Sequence, residues 1–297
     1  LVTGCAAEVE RQALAAMPEV DGLIPNPAKL DPRAWNVPPA ALPERSRHTR
    51  AFIAVQNGCD HACTFCVIPQ GRGASRSLPV PQVLTEIERH LAQGAQEVVL
   101  TGVDLTSWGH DLGEELRLGN LVAAALRAFP ALPRLRLSSL DGVEIDPLLL
   151  DLLTGEARVM PHVHLSLQHG HDLILKRMKR RHLAADAAKL AEHLCRHRPE
   201  VALGADLIAG FPTEDAAAHR ANLDQIAALG LCHVHVFPYS PRPGTPAARM
   251  PQVPGDLIRA RAAELRAAAG AERDRWLQSL LGKRLQVLAE RDGTGHA

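Results

Sequence analysis

A chain of 297 residues can bury a full hydrophobic core, and one large α/β domain with small appendages fits that length better than two equal domains. The 33 basic and 33 acidic residues cancel, which excludes a bulk attraction to phosphate, so any contact with nucleic acid must come from a local patch. Neither a run of about eighteen apolar residues nor a charged-then-apolar leader appears, so we expect a soluble, cytoplasmic protein without a membrane partner.

A proline-rich stretch separates a short N-terminal part from the rest of the chain. The chain begins at Leu1, without a methionine and inside what looks like the end of a strand, so we interpret residues 1–35 as the remnant of a preceding domain. Six prolines between residues 21 and 50 are typical of a linker, which we place at residues 36–48.

Short β-type runs then alternate with helical stretches, which predicts parallel βα units. The candidate strands are 51–56, 97–101, 135–139, 162–168, 201–208 and 233–238. Such units close into a full or partial barrel, or wind into an open sheet, and both bring functional groups to the carboxyl ends of the strands. We therefore expect a core at residues 49–280 with its site just after these strands.

Apolar stripes at helical spacing support this alternation, and the chain ends in a further strand-like segment. Val80, Val83, Leu84, Ile87 and Leu91 form one stripe, which ends before a capping glycine at position 94. Residues 282–288 follow a long helix and look like a new strand, so we expect residues 281–297 to begin another small domain.

Three cysteines lie within eight residues, at Cys59, Cys63 and Cys66. Clustered cysteines in a chain of this kind are more often metal ligands or reactive groups than disulfides. Three thiolates can hold three corners of a cubane iron–sulfur cluster, and the missing fourth ligand leaves one iron open to bind a substrate. The alternatives are simple core cysteines or a structural zinc site, which wants four ligands and could recruit His61.

The pattern C-x-x-x-C-x-aromatic-C, with Phe65 in the aromatic place, resembles the signature of the radical S-adenosylmethionine superfamily. That resemblance implies an α/β fold with a partial (βα)6 TIM-like barrel, in which the cluster on Cys59, Cys63 and Cys66 is catalytic. It also implies that the open iron chelates S-adenosylmethionine, whose cleavage by one electron yields a 5′-deoxyadenosyl radical. The cofactor would carry the hard chemistry, and the protein would position it.

Further segments are similar, in order, to the methylthiotransferases of that superfamily. They are 55–59, 66–69, 71–73, 75–77, 100–103, 136–140, 164–168, 175–178 and 206–212, so the similarity covers nearly the whole chain. Within the family, residues 235–248 look most like the branch that adds a methylthio group to C2 of N6-threonylcarbamoyladenosine beside the tRNA anticodon. The branches acting on isopentenyladenosine and on a ribosomal protein are the near alternatives.

The resemblance implies a second, auxiliary 4Fe-4S cluster on three cysteines of an N-terminal α/β methylthiotransferase domain. Cys5, in a Thr-Gly-Cys-Ala segment, matches the last of them, so we expect the auxiliary cluster to be incomplete in this chain. One S-adenosylmethionine would methylate sulfur on that cluster, and a second would yield the radical. The family also carries a C-terminal TRAM RNA-binding β-barrel, whose start we place at residues 281–297. The implied partners are tRNA and an external electron donor, and we expect a monomer.

The other candidate residues for the cofactor lie at or near strand ends. Ser139, Gln168 and Asp206 are expected to hold S-adenosylmethionine by hydrogen bonds and to line the substrate pocket, although each could equally cap a helix or satisfy buried backbone. Thr101 and Gly102 end a strand where a backbone edge could approach the methionine moiety of the cofactor. The plainer interpretation is a turn glycine.

Two basic features could serve an anionic substrate. Arg72 and Arg76 follow the cysteine loop closely, and they are candidates for contacting the substrate or for bracing the loop. The run at residues 176–181 could contact tRNA phosphates by charge, or it could be a solvated helix face.

Histidines suggest a different chemistry. His162 with His164, and His233 with His235, alternate as strand residues sharing a face, as do the H-x-H zinc ligands of barrel hydrolases. No matching carboxylate pattern accompanies them, so pocket or core histidines are the favoured interpretation. Two rival classes stay open: a zinc-stabilised, non-catalytic RNA-binding protein, which leaves the strand-end motifs unexplained, and a metal-dependent barrel hydrolase, which leaves the cysteine loop idle.

Overall fold

The computed structural model describes residues 1–29, 31–36, 49–113, 115–290 and 293–296. The predicted linker therefore lies outside the described residues, apart from Asn36. The N-terminal segment pairs its two short strands in parallel. Its elements are β1 (Val2–Thr3), α1 (Cys5–Val9), α2 (Arg11–Ala15) and β2 (Leu23–Ile24).

The core alternates strands and helices as the sequence predicts. It contains β3 (Arg50–Asn57), α3 (Ile68–Arg72), β4 (Arg76–Ser77), α4 (Val80–Ala92), β5 (Glu97–Gly102), α5 (Leu118–Ala128), β6 (Arg134–Leu137), α6 (Pro147–Gly155), β7 (His162–Gln168), α7 (Asp172–Arg177), α8 (Ala184–His197), β8 (Ala202–Ala209), α9 (Ala216–Ala228), β9 (Leu231–Pro238) and α10 (Gly255–Ser279). All six predicted core strands are present, and β7 has the predicted bounds.

Six parallel strands curve into a half-barrel in chain order. The strands β3, β5 and β6 pair in one sheet and β7, β8 and β9 in another. Two isolated parallel bridges, Leu135 with Val159 and Leu140 with Leu165, join the two sheets. The short β4 pairs antiparallel with β3 at the outer edge. The predicted partial barrel is therefore confirmed.

Alternation along the strands separates a packed outer face from a polar inner one. In β7, Val163, Leu165 and Leu167 belong to the main hydrophobic core, which they share with residues of the surrounding helices. Because successive strand residues point to opposite faces, His164 and Ser166 between them face the inside of the half-barrel. The inner wall is thus where polar chemistry is concentrated.

The C-terminal segment differs from the sequence expectation. A strand was expected over residues 282–288, but residues 283–287 are exposed and have no regular structure, and β10 (Leu288–Ala289) takes only the last residue of that range. It pairs antiparallel with β11 (Gly295–His296). Glu290 accepts a hydrogen bond from Arg50 Nε at 2.9 Å, so the segment lies at the amino end of β3. Among the described helices, none has the length and apolar character needed to span a bilayer.

Candidate functional site

The cysteine loop leaves the carboxyl end of β3 and turns back on itself through a glycine. Gly58 has φ +79, and a Cβ at this position would overlap the carbonyl oxygen of Ala74. Cys59 N–H then donates to the carbonyl of Gly73 at 3.1 Å, which closes the turn. Only glycine fits both the backbone angle and the close approach of the chain.

The middle of the loop is fastened to two distant segments through Thr64. Its N–H donates to the carbonyl of Met178 at 3.1 Å, and its Oγ1 donates to the carbonyl of Arg177 at 2.8 Å. Its own carbonyl accepts from Ala247 N–H at 3.0 Å. The segments similar to the methylthiotransferases therefore hold the loop in place.

The aromatic residue of the signature anchors the loop by packing. Phe65 meets the ring of Phe211 edge-on, with centroids 6.3 Å apart, and Phe211 meets Tyr239 in the same way at 5.6 Å. These rings form a second, smaller hydrophobic core that lies outside the main one. The aromatic place in the signature is thus explained by this cluster, which joins the loop to the ends of β8 and β9.

The three thiols are half-buried, and each sulfur accepts a polar hydrogen. The donors are His61 N–H to Cys59 Sγ at 3.4 Å, Ile68 N–H to Cys66 Sγ at 3.4 Å and Arg180 Nη1 to Cys63 Sγ at 3.8 Å. Hydrogen bonds of this kind stabilise thiolates and tune the sulfurs of iron–sulfur clusters.

The surroundings of these cysteines favour the neutral thiol over the thiolate. Burial, with the nearby Asp104 carboxylate, raises the pKa of Cys59 to about 12. Burial also raises the pKa of Cys66. Positive charge favours the thiolate form, and cluster iron would supply such charge when bound. Three converging thiols with aligned donors fit a three-thiolate iron–sulfur site.

Cys5, the expected auxiliary ligand, lies against the helix that follows the loop. A Cβ on Gly71 of α3 would lie 2.9 Å from Cys5 Cβ, so the two backbones are in close contact. Asn26 Nδ2 donates to the carbonyl of Gly71 and approaches Cys5 Sγ at 3.9 Å. The structure thus places the N-terminal cysteine beside the end of the loop that carries Cys66.

Gln56 joins the loop to the end of β5, and sequence reasoning gave it no role. Its side chain donates to the carbonyl of Gly58 at 2.9 Å and accepts from Asp104 N–H at 2.8 Å. The predicted Gly102 is crowded by the same side chain, since a Cβ there would lie 2.9 Å from Gln56 Oε1. Thr101 Oγ1 donates across to the carbonyl of Ile53 at 3.2 Å, so both predicted residues pack against β3.

A charged network behind Cys59 was also missed. His61 Nε2 lies 2.8 Å from Asp104 Oδ2 and 3.7 Å from Glu144 Oε2, and Arg181 contacts Glu144 at 2.6 Å. Hydrogen bonds to Asp104 and Glu144 raise the pKa of His61 to about 10. Burial alone would raise the pKa of Glu144, but hydrogen bonds from His61 and Arg181 outweigh it and lower that pKa to about 2. The four groups therefore carry full, compensating charges.

The basic run at residues 176–181 is only partly exposed, because two of its arginines are hydrogen-bonded to other segments of the core. Arg177 donates to Thr213 Oγ1 at 2.6 Å, and Arg180 donates to Asp141 at 3.0 Å. The buried side chain of Arg180 contacts Cys63 of the loop, whereas Arg181 and Lys179 are exposed, although Arg181 pairs with Glu144.

The remaining predicted residues lie at three separate places in the half-barrel. Ser139 is half-buried beside Ser138, whose buried Oγ has no hydrogen-bond partner among the described residues. Gln168 ends β7 with φ +71, a backbone angle that a residue other than glycine adopts only under strain. Asp206 sits inside β8 rather than at its end, hydrogen-bonded to His164 and His235.

Each of the two arginines that follow the loop donates a hydrogen bond to a neighbouring residue. Arg72 Nη1 donates to Asn57 Oδ1 at 3.1 Å, and Arg76 Nη2 donates to the carbonyl of Arg72 at 3.3 Å. Arg76 is exposed and Arg72 half-buried. They brace the loop and leave part of each guanidinium accessible.

Comparison with known proteins agrees with this architecture. A family model described as the radical SAM superfamily matches residues 53–225. The radical S-adenosylmethionine methyltransferase TsrM from Kitasatospora setae superposes with a TM-score of 0.53 at 24% identity, over 66% of this chain and 35% of that one. Methylornithine synthase superposes with a TM-score of 0.51 at 13% identity, over 75% and 63%. The fold and the cysteine loop together define a radical SAM protein, which implies S-adenosylmethionine and a 4Fe-4S cluster.

Sequence relatives narrow the class. The threonylcarbamoyladenosine tRNA methylthiotransferase MtaB of Rickettsia prowazekii is 40% identical over all of this chain and 74% of its own length. A tRNA-2-methylthio-N(6)-dimethylallyladenosine synthase of Cereibacter sphaeroides is 37% identical over 85% of this chain, which spans 57% of that relative. The chain belongs to the radical SAM methylthiotransferases, which are transferases. The expected family is confirmed, and neither rival class accounts for these matches.

Proposed function

We propose that this chain forms the radical-generating core of a tRNA methylthiotransferase that modifies C2 of N6-threonylcarbamoyladenosine next to the anticodon. The observation that carries the proposal is the three-thiol loop at the carboxyl end of β3, in which each sulfur accepts a hydrogen bond from an N–H group. The substrate follows the Rickettsia prowazekii relative, which matches more of this chain at higher identity than the dimethylallyladenosine synthase does. The dimethylallyladenosine substrate is the alternative.

The chain's own residues would act by holding and orienting. Cys59, Cys63 and Cys66 would ligate the cluster, which together with S-adenosylmethionine would supply a carbon radical by one-electron cleavage. A radical is needed because the C2–H of adenine has no acidic proton for a base to remove. Ser139, Gln168 and Asp206 would hold S-adenosylmethionine and line the substrate pocket, and Thr101 and Gly102 would bring a strand edge near its methionine moiety. The accessible sides of Arg72 and Arg76 offer charge to tRNA phosphate.

A wider organisation accompanies this core. We propose that Cys5 ligates an auxiliary cluster, because the close contact of α1 with α3 brings it beside the radical site. Residues 1–35 would end the N-terminal methylthiotransferase domain, residues 36–48 would be a linker, residues 49–280 would be the core and residues 281–297 would begin a TRAM domain. The protein would work as a cytoplasmic monomer with tRNA and an external electron donor.

The test uses anaerobically reconstituted protein and a matched pair of cysteine variants. Cys59→Ala removes a proposed ligand, whereas Cys195→Ala removes an exposed thiol on α8. We expect about four irons per chain and dithionite-dependent formation of 5′-deoxyadenosine in the wild type and in Cys195→Ala, with the nucleoside lost in Cys59→Ala. Zinc in place of iron, or no cleavage in any of the three, would refute the proposal.

The substrate is tested separately by tRNA binding, because this chain is expected to leave incomplete the auxiliary cluster on which the methylthio group would form. The Kd of the reconstituted protein is measured for tRNAs carrying threonylcarbamoyladenosine, isopentenyladenosine or unmodified adenosine next to the anticodon. Tighter binding of the first tRNA alone supports the proposed branch. Tighter binding of the second alone would instead establish the alternative substrate while leaving the radical core intact, and equal binding of all three would contradict recognition of either modification by this core.

A further inference from the structure

The inner wall of the half-barrel carries a cluster of histidines that the proposed chemistry does not use. His162 and His164 lie on β7, and His233 and His235 lie on β9. From the sequence they looked like core or pocket histidines because no carboxylate pattern accompanied them. The structure supplies the carboxylate, since Asp206 of β8 lies between His164 and His235.

The three groups present their donor atoms to a common point. His164 Nε2 lies 3.0 Å from Asp206 Oδ1, and His235 Nδ1 lies 3.1 Å from the same oxygen. The donor atoms of all three residues lie within 4.8 Å of one another. Zinc binds nitrogen and oxygen at about 2.0–2.2 Å in a tetrahedron, which separates neighbouring ligand atoms by about 3.3 Å. Small side-chain rotations would therefore suffice to admit a metal ion.

The backbone is shaped around this arrangement. Strand pairing sets His235 opposite Asp206 and His164 opposite Gly204. A Cβ on Gly204 would lie 2.5 Å from His164 Nδ1 and 2.7 Å from the carbonyl oxygen of His233. The absence of a side chain at Gly204 thus makes room for the imidazole of His164. The three candidate ligands then lie one on each of the neighbouring strands β7, β8 and β9.

Charge and exposure also suit a cation. Both imidazoles lie within hydrogen-bond distance of Asp206 Oδ1, and a carboxylate is the anionic ligand that offsets part of the charge of a bound cation. Arg136, which lies near His162 and His233, is paired with Glu97 at 3.0 Å. The side chain of His164 is only 8% exposed, whereas that of His235 is 67% exposed, which gives a buried anchor and an open side.

We propose that His164, Asp206 and His235 bind one divalent transition-metal cation, of which zinc is the representative, on the inner wall of the half-barrel. Two imidazoles and one carboxylate form a ligand set typical of zinc and non-haem iron sites that keep open positions. The open side faces the interior of the half-barrel, where water or an oxygen of the substrate completes the coordination. The site shares no ligand with the cysteine loop.

Zinc content is the measurement that tests this site. Reconstituted protein, with its loop cysteines occupied by cluster, is dialysed against a chelator, equilibrated with Zn²⁺ and analysed for bound zinc. Asp206→Asn keeps the shape of the side chain, and His235→Gln changes an exposed one, so His235→Gln remains informative if the first variant folds poorly. The matched control is His233→Gln, which removes a neighbouring histidine outside the ligand set. We expect about one zinc per chain fewer in the two ligand variants than in the wild type and the control.

X-ray absorption at the zinc edge distinguishes this site from the thiols. The proposal requires only nitrogen and oxygen neighbours at about 2.0–2.2 Å, whereas a cysteine site shows sulfur at about 2.3 Å. Equal zinc in all four proteins, sulfur neighbours, or no zinc in the wild type would overturn it. So would weaker nucleoside binding in the ligand variants without any change in zinc, which would identify a hydrogen-bonding subsite. The proposed function is judged separately, on 5′-deoxyadenosine formation by the cysteine variants, because Asp206 is also proposed to contact the cofactor.

Discussion

Buried histidines on the inner wall make the stability of this protein depend on pH. Burial, with Arg136 and the neighbouring His233 and His164, lowers the pKa of His162 to about 3, while Glu97 acts in the opposite direction. A histidine with its ordinary pKa of about 6.5 in the unfolded chain takes up a proton below that pH, whereas the folded chain leaves His162 neutral. Unfolding therefore gains protons as the pH falls from 6.5 toward 3, and stability falls with it.

The prediction is a difference between two variants. In urea titrations of chelator-treated protein, lowering the pH from 7 to 5 should reduce the free energy of unfolding of the wild type by about 2 kcal/mol more than that of His162→Gln. His197→Gln, which changes an exposed histidine on α8, should follow the wild type. Parallel pH profiles for the wild type and His162→Gln would show that His162 titrates normally in the folded chain.

At the scale of elements, the spacing of apolar residues correctly predicts which face of a helix is buried and where the helix ends. The stripe with Val83 and Ile87 on α4 is buried as expected, and Gly94 beyond the helix has φ +93. The roles of Gln56 and Arg180 could not be predicted in this way. Arg180 reaches a cysteine 117 positions earlier, and that contact exists only because the curved sheet brings β3 and β7 to one end of the molecule.

The turn that starts the cysteine loop gives a prediction for an element. Gly58 and Gly94 both have positive φ, but a Cβ on Gly58 overlaps the backbone of Ala74, while nothing lies within 4 Å of one on Gly94. Each change to alanine costs about 1–2 kcal/mol of backbone strain. Gly58→Ala must in addition displace the loop, so we expect reconstituted iron to fall below half of the wild-type content. Gly94→Ala should keep its iron and lose only a few degrees of melting temperature. Equal iron in both variants would contradict this account of the turn.

For the whole molecule, the contact between the N-terminal segment and the core sets how close Cys5 lies to the cysteine loop. The contact passes through α3, which directly follows the cysteine loop, and Asn26 bonds both Gly71 and Cys5 across it. Sequence similarity predicted that Cys5 is a ligand, but not where it lies. Its place depends on the packing of α1 against α3, which leaves no periodic signal in the sequence.

That contact can be opened without straining the backbone. Gly71 lies inside α3 with an ordinary helical φ, and a Cβ there would lie 2.9 Å from Cys5 Cβ and 3.1 Å from its Cα, so Gly71→Ala must push the N-terminal segment outward. Gly155→Ala, at the end of α6, adds the same group where nothing lies within 4 Å. We expect amide hydrogen exchange in residues 2–9 to become several-fold faster in Gly71→Ala alone, because α1 loses its packing against α3 while the cysteines of the loop stay in place. Unchanged exchange in Gly71→Ala would mean that packing against α3 does not hold the N-terminal segment in place. The position of Cys5 beside the cysteine loop would then need another explanation.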